Sequence, residues 1–143
     1  MKKELVLIDS NIWLYSFLRV EDKSKYEYIT KFLKEIITNS YIVITTQIIN
    51  EVSYNLKRKG NFTEEEIRLI IQKFNDKFIM IEFTIDILLK ASYLREKYNF
   101  SFWDSLIVGS AIKSGCKRLY SEDMQDGLIV ENELKIINPF KIT

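Results

Sequence analysis

Histidine is absent from the 143 residues. That absence excludes a Ser-His-Asp triad, a Cys-His pair, an imidazole zinc site and a histidine general acid. The single cysteine, Cys116, excludes an internal disulfide and a multi-cysteine zinc cluster, and fits a reducing interior. There is one proline, Pro139, near the end, and only four glycines, with no repeat, linker or low-complexity stretch, so residues 1–143 read as one domain. Apolar runs end far short of the roughly 18–20 residues that span a bilayer. The opening Met1-Lys2-Lys3-Glu4 leads into a run too short for a secretion signal. A cytoplasmic protein without a membrane partner is expected. Excess charge of one sign is also missing: 21 basic against 20 acidic residues leave +1, so no global field draws in a polyanion. Attraction would have to be local, at Lys57-Arg58-Lys59, at Lys31 with Lys34, or at Lys113 with Lys117 and Arg118. Each of these also reads as a solvated face or a partner of a helix C-terminus.

What is present is core material: 47% hydrophobic residues, with 9 Phe, 8 Tyr and 2 Trp. Short unalternating apolar runs, Leu5 to Ile8, Tyr41 to Ile44, Phe78 to Ile81 and Arg118 to Ser121, are separated by stretches of helical periodicity. That pattern predicts an α/β fold, a three-layer α/β/α sandwich around a mainly parallel sheet. Helix starts are marked by Asp22 or Ser24, Thr46, the Thr63–Glu66 capping-box pattern, Thr84 and Ser101, and stops by Gly60 and Gly115. Leu128 to Val130 and Leu134 to Ile137 are expected to finish the sheet, with Pro139 at an edge or just beyond it.

Four acids sit against apolar runs: Asp9 after Leu5 to Ile8, Glu51 beside Ile48, Val52 and Leu56, Asp104 after Phe102-Trp103, and Asp123 after Leu119-Tyr120. Ligands of doubly wound sheets gather at the carboxyl ends of the strands, where Asp9 and Ser121 to Asp126 fall. Each acid has a plainer reading: Asp9 as cap of a helix from Asn11 to Leu18, Asp104 as capping-box partner of Ser101, Glu51 as a surface helix residue, Asp123 as a turn residue before Gly127. Together they point elsewhere, because two carboxylates about 4 Å apart repel by roughly 4 kcal/mol at an effective dielectric of 20. A cluster of four needs a cation. An oxygen-only donor set selects Mg²⁺ or Mn²⁺ and leaves open positions for a phosphodiester and its attacking water.

Four segments, Leu5-Val6-Leu7-Ile8-Asp9-Ser10-Asn11-Ile12, Thr45-Thr46-Gln47-Ile48-Ile49-Asn50-Glu51-Val52, Ser101-Phe102-Trp103-Asp104-Ser105-Leu106-Ile107 and Leu119-Tyr120-Ser121-Glu122-Asp123-Met124, resemble in order the motifs of PIN-domain ribonucleases of the VapC toxin type. The resemblance implies a PIN-like fold and cleavage of RNA with Mg²⁺ or Mn²⁺. It implies Asp9 and Asp104 as principal metal ligands, Glu51 and Asp123 completing a catalytic acidic pocket, and Asn11 and Ser121 as orienting residues. It further implies a homodimer silenced by a small antitoxin protein that inserts into the acidic groove. Glu122, Asp123 and Asp126 all offer a fourth carboxylate; Asp123 is favoured and Asp126 is second. Hydrolysis would leave a 5′-phosphate and a 3′-hydroxyl. Tyr54, Tyr98, Phe100 and Trp103 are candidates to stack on unpaired bases or to fill core and interface. Ile12, Trp13, Tyr15 and Phe17 are candidates for a dimer face or for the core. The rival function is a PIN-like scaffold that binds RNA or protein without turnover.

Overall fold

Successive residues of a strand face opposite sides of its sheet, and Val6, Leu7 and Ile8 are all wholly buried, so the first strand is covered on both faces. The computed structural model describes residues 2–18 and 22–142. Its elements run β1 (Leu5–Ile8), α1 (Ser10–Phe17), α2 (Lys23–Asn39), β2 (Tyr41–Thr45), α3 (Thr46–Gly60), α4 (Glu64–Lys77), β3 (Ile79–Ile81), α5 (Ile85–Lys97), α6 (Phe102–Lys113), β4 (Arg118–Tyr120), β5 (Ile129–Val130) and β6 (Leu134–Ile137), closed by a 3-10 turn at Pro139–Lys141. The strands form one six-stranded sheet in the order β3-β2-β1-β4-β6-β5, parallel except for β5 against β6. This is the expected α/β architecture around a mostly parallel sheet.

The helices pack in two groups. α1 lies against α2 and α3, and α3 against α4, while α5 and α6 form an extensively packed pair. Strand residues such as Leu7, Ile44, Leu119 and Ile136 are wholly buried. Each contributes roughly 1.5–3 kcal/mol relative to an exposed side chain. The close fit of α5 on α6 depends on Gly109, where a Cβ would stand 3.3 Å from the Ala91 nitrogen and from the Ile87 oxygen.

Most helix boundaries follow the expected chemistry. Asp22 caps α2 by accepting from Ser24 N and Lys25 N, and Thr63 with Glu66 forms a complete capping box on α4. Two boundaries differ. The cap of α3 is Thr45, not Thr46: Thr45 is buried at the end of β2, where its hydroxyl accepts from Ile48 N, so one residue ends a strand and starts a helix. The left-handed residue that ends α3 is Asn61 (φ 53°) rather than Gly60. Gly60 serves by size, since a Cβ there would lie 2.8 Å from the Leu18 and Phe62 side chains. Ile12 and Trp13 belong to the core, with Trp13 donating its indole N–H to the Ile8 carbonyl and packing on Phe74 and Phe78; they offer no surface for a dimer.

Strand order reverses at β1, with β2 and β3 to one side and β4 to the other. A crevice opens outside the carboxyl ends of β1 and β4 at such a switch point. The Asp9 N–H donates to the Tyr120 carbonyl at 2.9 Å, tying those two ends together.

Candidate active site

Asp9 leaves β1 and caps α1. Its Oδ1 accepts from Ser10 N at 2.8 Å and its Oδ2 from Ser121 Oγ at 2.8 Å. The side chain is almost inaccessible, and burial pushes its pKa up to about 6. The hydrogen bonds from Ser121 and Ser10 oppose that rise, while the charges of Glu51 and Asp104 add to it. The capping role of Asp9 is therefore real, and it coexists with a place in an acidic cluster.

Glu51 enters from α3 and is gripped at both oxygens. Ser10 Oγ donates to Oε2 at 2.7 Å, and Gln47 Nε2, one turn earlier on the same helix, donates to Oε1 at 2.8 Å. Asp104 lies in the first turn of α6, where the Ser101 hydroxyl accepts from its N–H at 3.1 Å. Burial raises the Asp104 pKa; the Ser101 hydroxyl opposes this, and Asp123 and Glu51 push it further up. Asp123 follows β4 and accepts from Asn11 Nδ2 at 2.9 Å. Four acids separated widely in the chain thus meet at one end of the sheet: Asp9 lies in the fields of Glu51 and Asp104, and Asp104 in those of Asp123 and Glu51.

The turn after β4 is organised by Ser121. Its buried hydroxyl donates to Asp9 and accepts from Asp123 N at 3.3 Å and Met124 N at 3.4 Å. The other two acids of this turn are engaged away from the cluster. Glu122 accepts from Tyr15 Oη at 2.7 Å and pairs with Lys25 at 3.1 Å, and Asp126 accepts from Asn138 N at 2.8 Å. Only Asp123 of the three contributes to the field at Asp104.

Sequence reasoning overlooked Ser10 and Gln47. Gln47 was accessible to it, since i and i+4 share a helix face. Ser10 was not, because its partner Glu51 is 41 residues away and meets it only through the packing of α1 on α3.

Every side chain that donates to these four carboxylates is neutral: Ser10, Ser121, Gln47 and Asn11. Among the described residues none of the four carboxylates pairs with a lysine or arginine. Nor, among those residues, do three acids stand close enough together to enclose one ion. The donor chemistry nevertheless fits a hard divalent cation: carboxylate oxygens only, with Asp9 and Asp104 disfavoured as charges by burial, and no lysine or arginine among the described residues paired with any of the four. Mg²⁺ keeps several waters and takes one or two carboxylates, so it does not require a closed protein cage.

The chain belongs to the PIN domain family, whose model matches residues 6–125, a span that takes in Asp9, Glu51, Asp104 and Asp123 and stops short of Asp126. No curated protein matches it. Among solved structures it is similar to a toxin-antitoxin complex from Klebsiella pneumoniae, at 18% identity and TM-score 0.71 over 96% of this chain and 99% of that one. It is also similar to VapBC2 from Rickettsia felis bound to a promoter DNA fragment, at 17% identity and TM-score 0.66 over 94% and 99%. A third is the sarcin-ricin loop cleaving toxin VapC20 of Mycobacterium tuberculosis, at 12% identity and TM-score 0.62 over 80% and 86%. No described helix is long and apolar enough to cross a membrane.

Proposed function

We infer that this PIN domain is an endoribonuclease dependent on Mg²⁺ or Mn²⁺, the toxin of a toxin-antitoxin pair acting in the cytoplasm, with Asp9, Glu51, Asp104 and Asp123 as its catalytic acids. The observation that carries this reading is four carboxylates gathered at one end of the sheet, with Asp9 and Asp104 destabilised by burial and by acidic neighbours, and none of the four paired with a lysine or arginine among the described residues. Membership of the family, and likeness in fold to three structures of toxins or toxin-antitoxin complexes, support it.

Asp9 and Asp104 would be the principal ligands of the ion, with Glu51 and Asp123 beside them. When bound, such an ion neutralises charge on a phosphate oxygen and lowers the pKa of water. The chain's own contribution is orientation. Ser121 and the Ser10 N–H fix both oxygens of Asp9; Ser10 and Gln47 fix both oxygens of Glu51; Asn11 fixes Asp123. Glu51 or Asp123 would hold a second ion or orient the attacking water. Hydrolysis forms a bond from that water to phosphorus and releases the ribose 3′ oxygen, leaving a 5′-phosphate. The partners proposed are RNA, a small antitoxin at the acidic groove and a second copy of the chain. Apolar surface for self-association is present on α5, where Ile85, Leu88, Leu89 and Tyr93 are exposed.

The test is cleavage of single-stranded RNA by wild type and Asp9→Asn in Mg²⁺, Mn²⁺ and EDTA, with product ends mapped and thermal melts taken in parallel. Wild type is expected to cleave only with metal and to melt higher in Mn²⁺, and Asp9→Asn to lose both effects. Cleavage in EDTA, or 2′,3′-cyclic phosphate ends, would contradict the scheme. A wild type that binds RNA without cutting it would instead favour the scaffold reading.

A further inference from the structure

A cavity of about 600 Å³ opens between α3 and the start of α6, with Glu51 in its lining, so it is continuous with the acidic cluster. Its walls carry three aromatic side chains, Tyr54 of α3, Phe83 of the segment before α5, and Trp103 of α6. Its remaining surface includes three side-chain amides, Gln47, Asn50 and Asn55. Of the four aromatics that the sequence offered for stacking, the fold brings Tyr54 and Trp103 here, both 61% exposed. Tyr98 is used elsewhere, bonding Glu131 and packing at a tilt against Phe100.

We propose that this cavity binds one unpaired base of the RNA, carried by a nucleotide next to the phosphate held at the acids. The inference rests on the nuclease reading above and adds to it the form of the substrate. A nucleobase has two π-faces and a polar edge; the cavity has aromatic walls and amides that each carry both a donor and an acceptor. Amides match the edges of several bases, so the site tolerates sequence while requiring that the base be unstacked.

The amide of Gln47 is locked in one orientation, since its Nε2 donates to Glu51. Its Oε1 is buried with no donor among the described residues, an arrangement that favours the arrival of an N–H group. Cations flank the aromatics. The Arg58 guanidinium lies 5.7 Å from the Tyr54 ring, and that of Arg95 lies 4.3 Å from the ring of Phe102, which packs edge-on against Trp103. An acidic inner end with Arg58 beside one aromatic wall and Arg95 behind another suits a polyanion whose cleaved phosphate a divalent ion would neutralise. It suits a basic peptide less well, because the arginines would repel it.

Trp103 also supplies the signal, because the other tryptophan, Trp13, is only 3% exposed. Stopped-flow mixing of wild type with a mixed-sequence single-stranded RNA 10-mer in Mn²⁺ is expected to quench tryptophan emission before turnover. Tyr54→Ala and Trp103→Ala should each weaken kcat/KM by roughly 5- to 160-fold, the range for loss of one base stack. Tyr54→Phe and Trp103→Phe should stay within about twofold of wild type, and all four variants should keep the wild-type melting shift in Mn²⁺. The proposal is overturned if wild type cleaves the 10-mer but the alanine variants cleave it equally well. It is also overturned if an arginine-rich peptide, and not RNA, quenches Trp103, which would assign the groove to a protein partner. A wild type that neither binds RNA nor cleaves it would sink the nuclease reading itself, a different failure from these.

Discussion

Replacing Asp9 by Asn should stabilise the metal-free protein, and by an amount that grows with pH. Folding raises the Asp9 pKa from 3.8 to about 6. The folded state therefore holds this proton more tightly than the unfolded chain does. Below pH 3.8 both states are protonated and Asp9 costs nothing. As pH rises from there through about 6 the folded state loses stability, and above that the cost levels off at about 3 kcal/mol, taking 1.36 kcal/mol per pKa unit. Asparagine stays neutral throughout and is as good a helix cap as aspartate, so Ser10 N keeps its acceptor. The bond from Ser121 meets an amide NH₂ instead of an oxygen, a loss of about 1 kcal/mol at every pH. The net gain for Asp9→Asn is thus about 2 kcal/mol at pH 8 and falls below about 1 kcal/mol at pH 5. Urea melts of both proteins in EDTA from pH 5 to pH 8 measure it. A stability difference that does not vary with pH, or one that moves against the variant as pH rises, would refute the account of a desolvated carboxylate.

Two further outcomes test the fold around the site. Gly109→Ala gains about 1 kcal/mol of helix propensity but places a methyl 3.3 Å from two backbone atoms of α5 that have little room to retreat; overpacking of about 1–3 kcal/mol should prevail, and a raised melting temperature would show that α5 and α6 can part cheaply. Leu89→Lys, on the exposed apolar stripe of α5, should move the proposed homodimer to monomer in sedimentation while changing the unfolding free energy of the monomer by no more than about 0.5 kcal/mol; an association that survives the charge lies on another face.

The sheet was legible because its strands are buried on both faces: Val6 to Ile8 and Ile42 to Ile44 carry no alternation, and only helices on both sides explain that. Helix starts were legible where a single residue is the candidate cap, as at Thr63 and Ser101. The reading slipped at Thr45 and Thr46 because either hydroxyl is a competent cap, and the choice depends on the register of β2 against β3, which pairs Thr45 with Ile81. The acids were visible one by one as charges beside apolar runs. Their supports were not, since Ser10 with Glu51, Asn11 with Asp123 and Ser121 with Asp9 are tertiary contacts across 41, 112 and 112 positions. Nor could the sequence separate Asp123 from Glu122 and Asp126 by residue type. Separation comes from Lys25 with Tyr15, which engage Glu122, and from the Asn138 N–H, which engages Asp126.

A carboxylate can be oriented without being neutralised only if its donors carry no charge. A lysine or arginine among these four acids would lower their pKa values and remove the repulsion. Elsewhere the protein makes that choice: Lys25 pairs with Glu122, Lys57 with Glu64, Lys90 and Lys97 with Glu131, and Arg118 with Glu4. At the switch point it uses hydroxyls, amides and a backbone N–H, which fix direction and leave the charge unspent. The resulting penalty at Asp9 is about 3 kcal/mol at neutral pH, and a cation bound beside it would offset it by mass action. Stability and cation binding are then two readings of the same strain. The proton that relieves Asp9 below about pH 6 competes with any cation that relieves it above.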